Sequence, residues 1–471
     1  MADQSKFSKL LGRIVKEKSS LNADVTNFNE MSSEPKKNKL PFSIKDEYRT
    51  FDNHSLWLKI STMKDLASRF GIEDPFFKMQ ENVHGTLTTV RGKECINFSS
   101  YNYLGFNDHP ELRKTAMVAV ETFGTSVGAS RLVAGERGFQ KDLECKIASF
   151  YRKPEALVFV SGHATNVSTI STLFGSEDLI VYDSLCHNSI IEGILLSGAR
   201  YFPFAHNDLQ ILEKILMTNR SKYKRVLIVT EGLFSMDGDV PNLPELIAIK
   251  EKFGCILMID EAHSLGVLGK TGHGLFEHWA EINTLKQCSG VYSQKKVNEL
   301  MELYSSSVDI WMGTLSKTLA SCGGYIAADS KIISILRFYA PGFVYSVGIS
   351  APAALSANKA FELMEKEPER IYKLRSNAQL FRKLVSSKGI NTGRSEGFSV
   401  IPVIIGSSHR AIKASEELWN KGINVQPIIH PAVEEQQARL RFFITSEHTV
   451  EQIVETTVAL QEVAKKIGLI K

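Results

Sequence analysis

The stretch RVLIVTEGLFSMDGDVPNLPELIAIKEKFGCILMIDEAH, residues 225–263, decides the fold. Two short apolar runs, RVLIVTEG (225–232) and GCILMIDEAH (254–263), each end in polar residues and flank a stretch of helical character. Continuous Val/Ile/Leu runs of this length read as strands buried on both faces, and strand–helix–strand order calls for parallel pairing. The same alternation runs outward from there. EALVFV (155–160) and DLIVYD (178–183) precede it; DIWMGTLSK (309–317) and GGYIAAD (323–329) follow. The expected fold class is therefore α/β, a mostly parallel sheet with helices on both faces. In such sheets ligands bind beyond the carboxyl ends of the strands, so the polar residues after each run are where chemistry belongs.

The rest of the chain is organised around this core. At about 150 residues per domain, 471 residues allow roughly three units. Residues 1–50 read as a basic polar tail and linker, 51–110 as an N-terminal segment, 111–345 as the large domain and 346–471 as a smaller C-terminal α/β domain. That last part carries long helical stretches, then VIPVIIG (400–406) and RLRFFIT (439–445). Residues 284–307 break the strand spacing and read as a surface insertion. Residues 1–40 hold eight Lys/Arg against five Asp/Glu, and Phe7, Leu10, Leu11, Ile14 and Val15 recur at helical spacing. That pattern is either a frayed tail or a basic amphipathic helix, a candidate for peripheral membrane contact or for docking an acidic partner.

Composition excludes several classes. The formal net charge of +4 is too mild for nucleic acid to be the main partner. No apolar run reaches the ~18 residues of a membrane-spanning helix, and the N-terminus lacks the apolar core of a secretory signal. The six cysteines are scattered with no CxxC pair, which argues against a disulfide framework or a zinc site and for a reducing, cytoplasmic setting. No metal site is expected.

Four strand ends carry polar residues in order: DSLCH (183–187), TEGLFSMDGD (230–239), DEAH (260–263) and TLSK (314–317), the last followed by Gly323-Gly324. DEAH alone also matches a helicase motif, but no GxxxxGK[ST] phosphate loop precedes it. The constellation fits a pyridoxal 5'-phosphate site. That cofactor needs a lysine for its Schiff base, a carboxylate on its pyridine nitrogen, phosphate donors and a group stacked on its ring. Lys317 follows an apolar strand with Thr314 and Ser316 beside it. Asp260 ends the most apolar strand, where its charge would keep the ring protonated. Ser161-Gly162-His163 opens a helical stretch, and backbone N–H groups at a helix start bind phosphate well.

These motifs resemble the α-oxoamine synthase family of fold-type I pyridoxal phosphate enzymes, which includes serine palmitoyltransferase and 8-amino-7-oxononanoate synthase. The similarity runs from about residue 65 to the end, through NFSSYNYLGF (97–106), FAHNDL (204–209), TEGLFSMDGD, IDEAHSLGVLG, MGTLSKTLASCGGYIA (312–327) and ARLRFFITSEHT (438–449). The resemblance implies a catalytic set of Lys317, the Schiff-base lysine; Asp260, on the pyridine nitrogen; His263, on the phenolic oxygen; and His187, stacked on the ring. Ser161, Gly162, His163, Ser235 and Thr314 complete the cofactor site, with Ser346 reaching it from a partner subunit. Arg441 becomes the anchor of the substrate carboxylate, with Asn102 and Tyr103 approaching from the N-terminal side. The chain departs from the family pattern at Gln140, where many members have histidine, at the Tyr345-Ser346-Val347-Gly348 stretch, which is often richer in Ser/Thr, and at His163, where an aromatic residue is common. The implied activity is decarboxylative condensation of serine, alanine or glycine with an acyl thioester, from coenzyme A or an acyl-carrier protein, to an α-amino ketone. A serine palmitoyltransferase-like homodimer in lipid metabolism is the expected form. The alternatives are 8-amino-7-oxononanoate synthase of biotin synthesis and another fold-type I aminotransferase.

Overall fold

A computed structural model describes residues 45–69, 75–288 and 290–471. The basic tail, 1–40, lies outside the described residues. The chain divides into two units, residues 1–73 and 74–471. In the first, residues Ser55–Arg69 form a helix whose Leu56, Trp57, Leu58 and Ile60 are exposed.

The second unit begins with β1 (Gln80–His84), β2 (Leu87–Val90) and β3 (Lys93–Asn97). Its centre is built from β4 (Glu155–Phe159), β5 (Leu179–Asp183), β6 (Arg200–Phe204), β7 (Val226–Glu231), β8 (Ile256–Asp260), β9 (Ile310–Thr314) and β10 (Gly324–Ala328). These make one seven-stranded sheet among the described residues, in the order β4-β10-β9-β8-β7-β5-β6. β10 is antiparallel to both neighbours; the pairings from β9 to β6 are parallel. The expected mostly parallel α/β sheet is what forms.

Side-chain alternation explains why every position of β7, β9 and β10 is buried. Ile228, Ile259, Trp311 and Tyr325 enter one apolar layer; Leu227, Val229, Met258, Met312 and Ile326 enter the other. Successive residues of a strand point to opposite faces, so a strand covered by helices on both sides needs apolar residues throughout. The crossover between β7 and β8 is the helix Leu243–Phe253. Asn242 caps it by accepting from the Glu245 N–H, and Gly254 ends it in the left-handed region at φ 59°. That conformation costs glycine little.

Two elements differ from the expectation. β6, RYFPF, carries no strand signal in the sequence. It is an edge strand that is mostly exposed and carries Pro203, so it lacks the continuous apolar signal. Residues 284–307 are not a surface insertion. They finish the helix Leu275–Gln287 and form the helix Gln294–Ser307, whose Val297, Leu300, Met301 and Tyr304 are buried in the core. A long helical crossover between parallel strands spaces the runs widely in sequence without leaving the fold.

The remaining strands are β11 (Val400–Ile404), β12 (Ile423–Asn424), β13 (Gln426–Ile428) and β14 (Arg439–Phe443). β12 pairs in parallel with β3, and β11-β14-β13 form a small antiparallel sheet. The N-terminal segment is tied to these late strands: the Phe443 N–H donates to Phe98 O at 2.9 Å and the Ser446 N–H to Tyr103 O at 2.8 Å. This brings YNYLGF and ARLRFFIT beside each other.

Candidate active site

Because β5, β7, β8 and β9 run parallel, their last residues, Asp183, Glu231, Asp260 and Thr314, emerge on one edge of the sheet. β4 ends nearby at Phe159, and the chain turns through Ser161 into the helix Gly162–Leu173. A cavity of about 220 Å³ opens there, lined among others by Ser161, Gly162, His163, His187, Asp260, His263, Thr314 and Lys317.

Lys317 sits in the loop after β9, half-buried, its Nζ 5.6 Å from the centre of the Tyr101 ring. Desolvation lowers its pKa from the usual 10.5 to about 8, against the opposing pull of Asp260 and Glu231. A lysine so placed is a far better nucleophile and base at neutral pH than a solvated one.

Asp260 is buried, and both of its oxygens are held. Oδ2 accepts from Asn166 Nδ2 at 2.8 Å and Oδ1 from the Ala262 N–H at 2.9 Å. Next to it, in register on β7, lies Glu231. One Glu231 oxygen accepts from the Ser235 N–H at 3.1 Å, while Oε1 is buried with no hydrogen-bond partner among the described residues. Burial first, and the Asp260 charge second, push the Glu231 pKa up to about 8. The edge thus pairs a carboxylate with a group that favours its neutral acid form.

His263 is buried with Nδ1 2.7 Å from the Tyr103 hydroxyl. Burial, then Lys317, Arg441 and His187, hold its pKa well below the ordinary value, so the imidazole is neutral. At the other end, Ser161 caps its helix through the Ala164 N–H at 3.1 Å. Thr314 Oγ1 lies 2.6 Å from Ser316 Oγ and donates to Gly323 O at 2.9 Å. A Cβ on Gly162 would come within 3.1 Å of Thr314 Oγ1, so a side chain there would crowd the mouth of the helix. The result is a cradle of hydroxyls and helix-start N–H groups, suited to a phosphate.

Other expected residues sit one step back, outside this lining. Arg441 donates to Ser235 O at 3.0 Å and stacks its guanidinium 4.6 Å from the Phe443 ring centre, and its Nε has no hydrogen-bond partner among the described residues. Tyr103 supports His263 from behind. Asn102 turns its carboxamide oxygen onto the Asn107 N–H at 3.1 Å; Tyr101 is the residue of that segment that faces Lys317. Ser346 is half-buried beside Val347, which bridges to Ser130. Reading the sequence missed Asn166, Ser189 and Glu231, which line the cavity. Glu231 had a signal: TEG and IDE end neighbouring strands. Asn166 and Ser189 had none, since their role depends on a helix–helix contact.

Comparison with known proteins fits this geometry. A family model described as aminotransferase class I and II matches residues 93–457. The chain is 36% identical over 381 residues to an 8-amino-7-oxononanoate synthase of Treponema denticola, covering 81% of this chain and 90% of that protein. It is 38% identical over 395 residues to the same enzyme of Geotalea daltonii, covering 83% and 94%.

The chain belongs to the α-oxoamine synthase family.

Among solved structures, serine palmitoyltransferase of Sphingomonas wittichii superposes with a TM-score of 0.80 at 25% identity, over 91% of this chain and 100% of that one. An 8-amino-7-oxononanoate synthase of Francisella tularensis superposes with a TM-score of 0.64 at 25% identity, over 80% and 99%. A variant of serine palmitoyltransferase from S. paucimobilis has been solved with a bound pyridoxal phosphate–myriocin aldimine. Like its family, this α-oxoamine synthase depends on pyridoxal phosphate, and its residues fit that group. The amine of Lys317 and the Asp260 carboxylate lie in one cavity, and its Ser161–Gly162–Thr314 wall carries the donors that a phosphate needs.

Proposed function

We propose that this α-oxoamine synthase condenses a small amino acid (serine, alanine or glycine) with an acyl thioester, releasing carbon dioxide and free thiol and leaving an α-amino ketone. The observation that carries the reading is the Lys317 amine. Its pKa is lowered to about 8, in one cavity with Asp260, His187 and His263, in a chain whose relatives at 36–38% identity are synthases of this family.

When bound, pyridoxal phosphate supplies the electron sink that makes an α-carbanion accessible. The chain's own residues would do the rest. Asp260 would accept a hydrogen bond from the protonated ring nitrogen, and His187 would cover the ring face. With Tyr103 donating to its Nδ1, His263 would keep a proton on Nε2 for the phenolic oxygen. Ser161, Gly162, His163 and Thr314 would hold the phosphate, with Ser235 near the phenolic oxygen. Arg441 would clamp the amino acid carboxylate, a task suited to a planar guanidinium. Lys317 would take the α-proton and return it after carbon dioxide leaves.

Within this reading, identity to curated relatives favours 8-amino-7-oxononanoate synthase, while TM-score and coverage favour a serine palmitoyltransferase-like enzyme. The deciding experiment gives purified protein each small amino acid with a chain-length series of acyl thioesters, on coenzyme A and on carrier protein, and reads thiol and carbon dioxide. Keto acid without thiol release would make the chain an aminotransferase instead. A homodimer with Ser346 contributed across the interface, and a cytoplasmic setting in keeping with six free cysteines, belong to the same proposal. An active monomer in sedimentation would remove the dimer from it.

A further inference from the structure

The carboxamide of Asn166 lies between Asp260 and Ser189. Its Nδ2 is 2.8 Å from Asp260 Oδ2 and 2.9 Å from Ser189 Oγ. Asn166 and Ser189 are each 1% exposed, so water does not stand in for either bond. The Ser189 hydroxyl is in turn 2.8 Å from His187 Nδ1, and the Ser189 backbone N–H donates to that nitrogen at 3.2 Å. One continuous chain of hydrogen bonds therefore joins the carboxylate of the site to its exposed imidazole.

Counting hydrogens fixes its direction. An amide nitrogen carries two hydrogens and accepts nothing. One goes to the Asp260 carboxylate and the other to Ser189 Oγ, which is the acceptor of that bond. The flipped amide would aim its oxygen at a carboxylate, acceptor against acceptor, so the network sets the orientation. Ser189 has a single hydroxyl hydrogen left to give, and it points to His187 Nδ1. That nitrogen also receives the Ser189 backbone N–H, so it holds no proton of its own. A neutral imidazole with an accepting Nδ1 carries its hydrogen on Nε2.

We propose that Asn166 and Ser189 are positioning residues that hold His187 as the neutral Nε2–H tautomer and lock its orientation to the Asp260 carboxylate. Desolvation also pushes the His187 pKa below its ordinary value, with Lys317, His163 and Arg441 adding to the lowering and Asp260 opposing it. The chemical consequence concerns charge. An imidazolium stacked on a protonated pyridine ring would set two positive charges face to face, and like charges disfavour each other's ionised form. A neutral His187 leaves the ring free to stay protonated on Asp260. The consequence rests on the cofactor reading above; the tautomer is a property of the chain itself.

The test uses full-length protein labelled with ¹⁵N-histidine, with and without pyridoxal phosphate, and long-range ¹H–¹⁵N spectra assigned to His187 by the loss of its signals in His187→Gln. The wild type should show a protonated Nε2 and a bare Nδ1. Ser189→Ala should populate both tautomers. At equal cofactor occupancy, with no acyl donor present, it should slow exchange of the amino acid α-proton in deuterated water about fivefold, the scale of one net hydrogen bond. Ser189→Thr keeps the hydroxyl and should restore both readouts, which separates loss of the bond from loss of packing. An Nδ1–H imidazole in the wild type overturns the proposal, as does a Ser189→Ala protein that exchanges at the wild-type rate. A protein that takes up no pyridoxal phosphate would instead sink the functional reading, and the tautomer spectra would stand apart from it.

Discussion

Replacing Asp260 with asparagine tests the centre of the site. The carboxylate uses both oxygens, one on Asn166 Nδ2 at 2.8 Å and one on the Ala262 N–H at 2.9 Å. An amide has one acceptor. With its oxygen left on Ala262, its new N–H₂ would face the N–H₂ of Asn166, donor against donor. Asn166 must then turn, and its bond to Ser189 is disturbed with it. The lost charge-assisted bond is worth about 1.5–3 kcal/mol, so the variant folds with a modest loss of stability. The effect on chemistry is larger. A contacting opposite charge moves a pKa by roughly 1–3 units, each about 1.4 kcal/mol, so protonation of the cofactor ring loses about 1.4–4 kcal/mol of support. Exchange of the amino acid α-proton in deuterated water, at saturating pyridoxal phosphate and with no acyl donor, should fall by about ten- to a thousandfold. Glu231 can offset part of this. The Asp260 charge is a cause of its raised pKa, second to burial, so in Asp260→Asn that acid ionises more readily beside the same ring. The Asp260→Asn/Glu231→Gln double variant should therefore exchange more slowly than Asp260→Asn alone. Exchange by Asp260→Asn within about twofold of wild type, with cofactor binding confirmed by absorbance, would refute the assignment.

Three further outcomes follow from the same geometry. Borohydride reduction of the wild type should fix the cofactor on Lys317, whereas Lys317→Ala should bind pyridoxal phosphate without a covalent link and lose about 10²–10⁴-fold in α-proton exchange; peptide mapping and exchange rates check both. Covalent uptake needs the neutral amine, which is the form above the folded pKa. With that pKa lowered to about 8, the uptake rate of cofactor-free protein should climb with pH through a midpoint near 8 and level off roughly a unit above it, and a climb continuing to pH 10 would show a solvated lysine. The folded-state pKa of Glu231 is raised from 4.5 to about 8, so its contribution to stability is full below about 4.5 and is lost as pH rises through about 8. Glu231→Gln, which cannot ionise, should gain in thermal midpoint relative to wild type between pH 5 and pH 8.5, and a constant difference across that range would count against a neutral Glu231.

Much of this was legible in the chain. The apolar runs ending at Glu231, Asp260 and Thr314 read as strands because a strand buried on both faces cannot alternate, and that property is local. The motifs around Lys317 and Asp260 stood at the ends of those runs, so parallel pairing alone was enough to bring them to one edge. The edge strand Arg200–Phe204 was illegible for the complementary reason. With one side unpaired and largely exposed, it needs no apolar run and tolerates Pro203. The helix Gln294–Ser307, with one face buried, is illegible as part of the core because spacing along a chain does not reveal whether a long crossover packs or protrudes.

The sequence by itself determined the sheet and the cofactor chemistry, since both are written in contiguous motifs. The tertiary structure decided the rest. It set Glu231 in register with Asp260, which with burial favours the neutral form of Glu231. It desolvated Lys317, which no local pattern can encode. It packed Asn166 against Ser189 from two different helices, so that the hydrogens of one amide and one hydroxyl assign the proton on His187. Electrostatics and hydrogen-bond direction depend on which groups share a low-dielectric space, and only the folded chain brings them there.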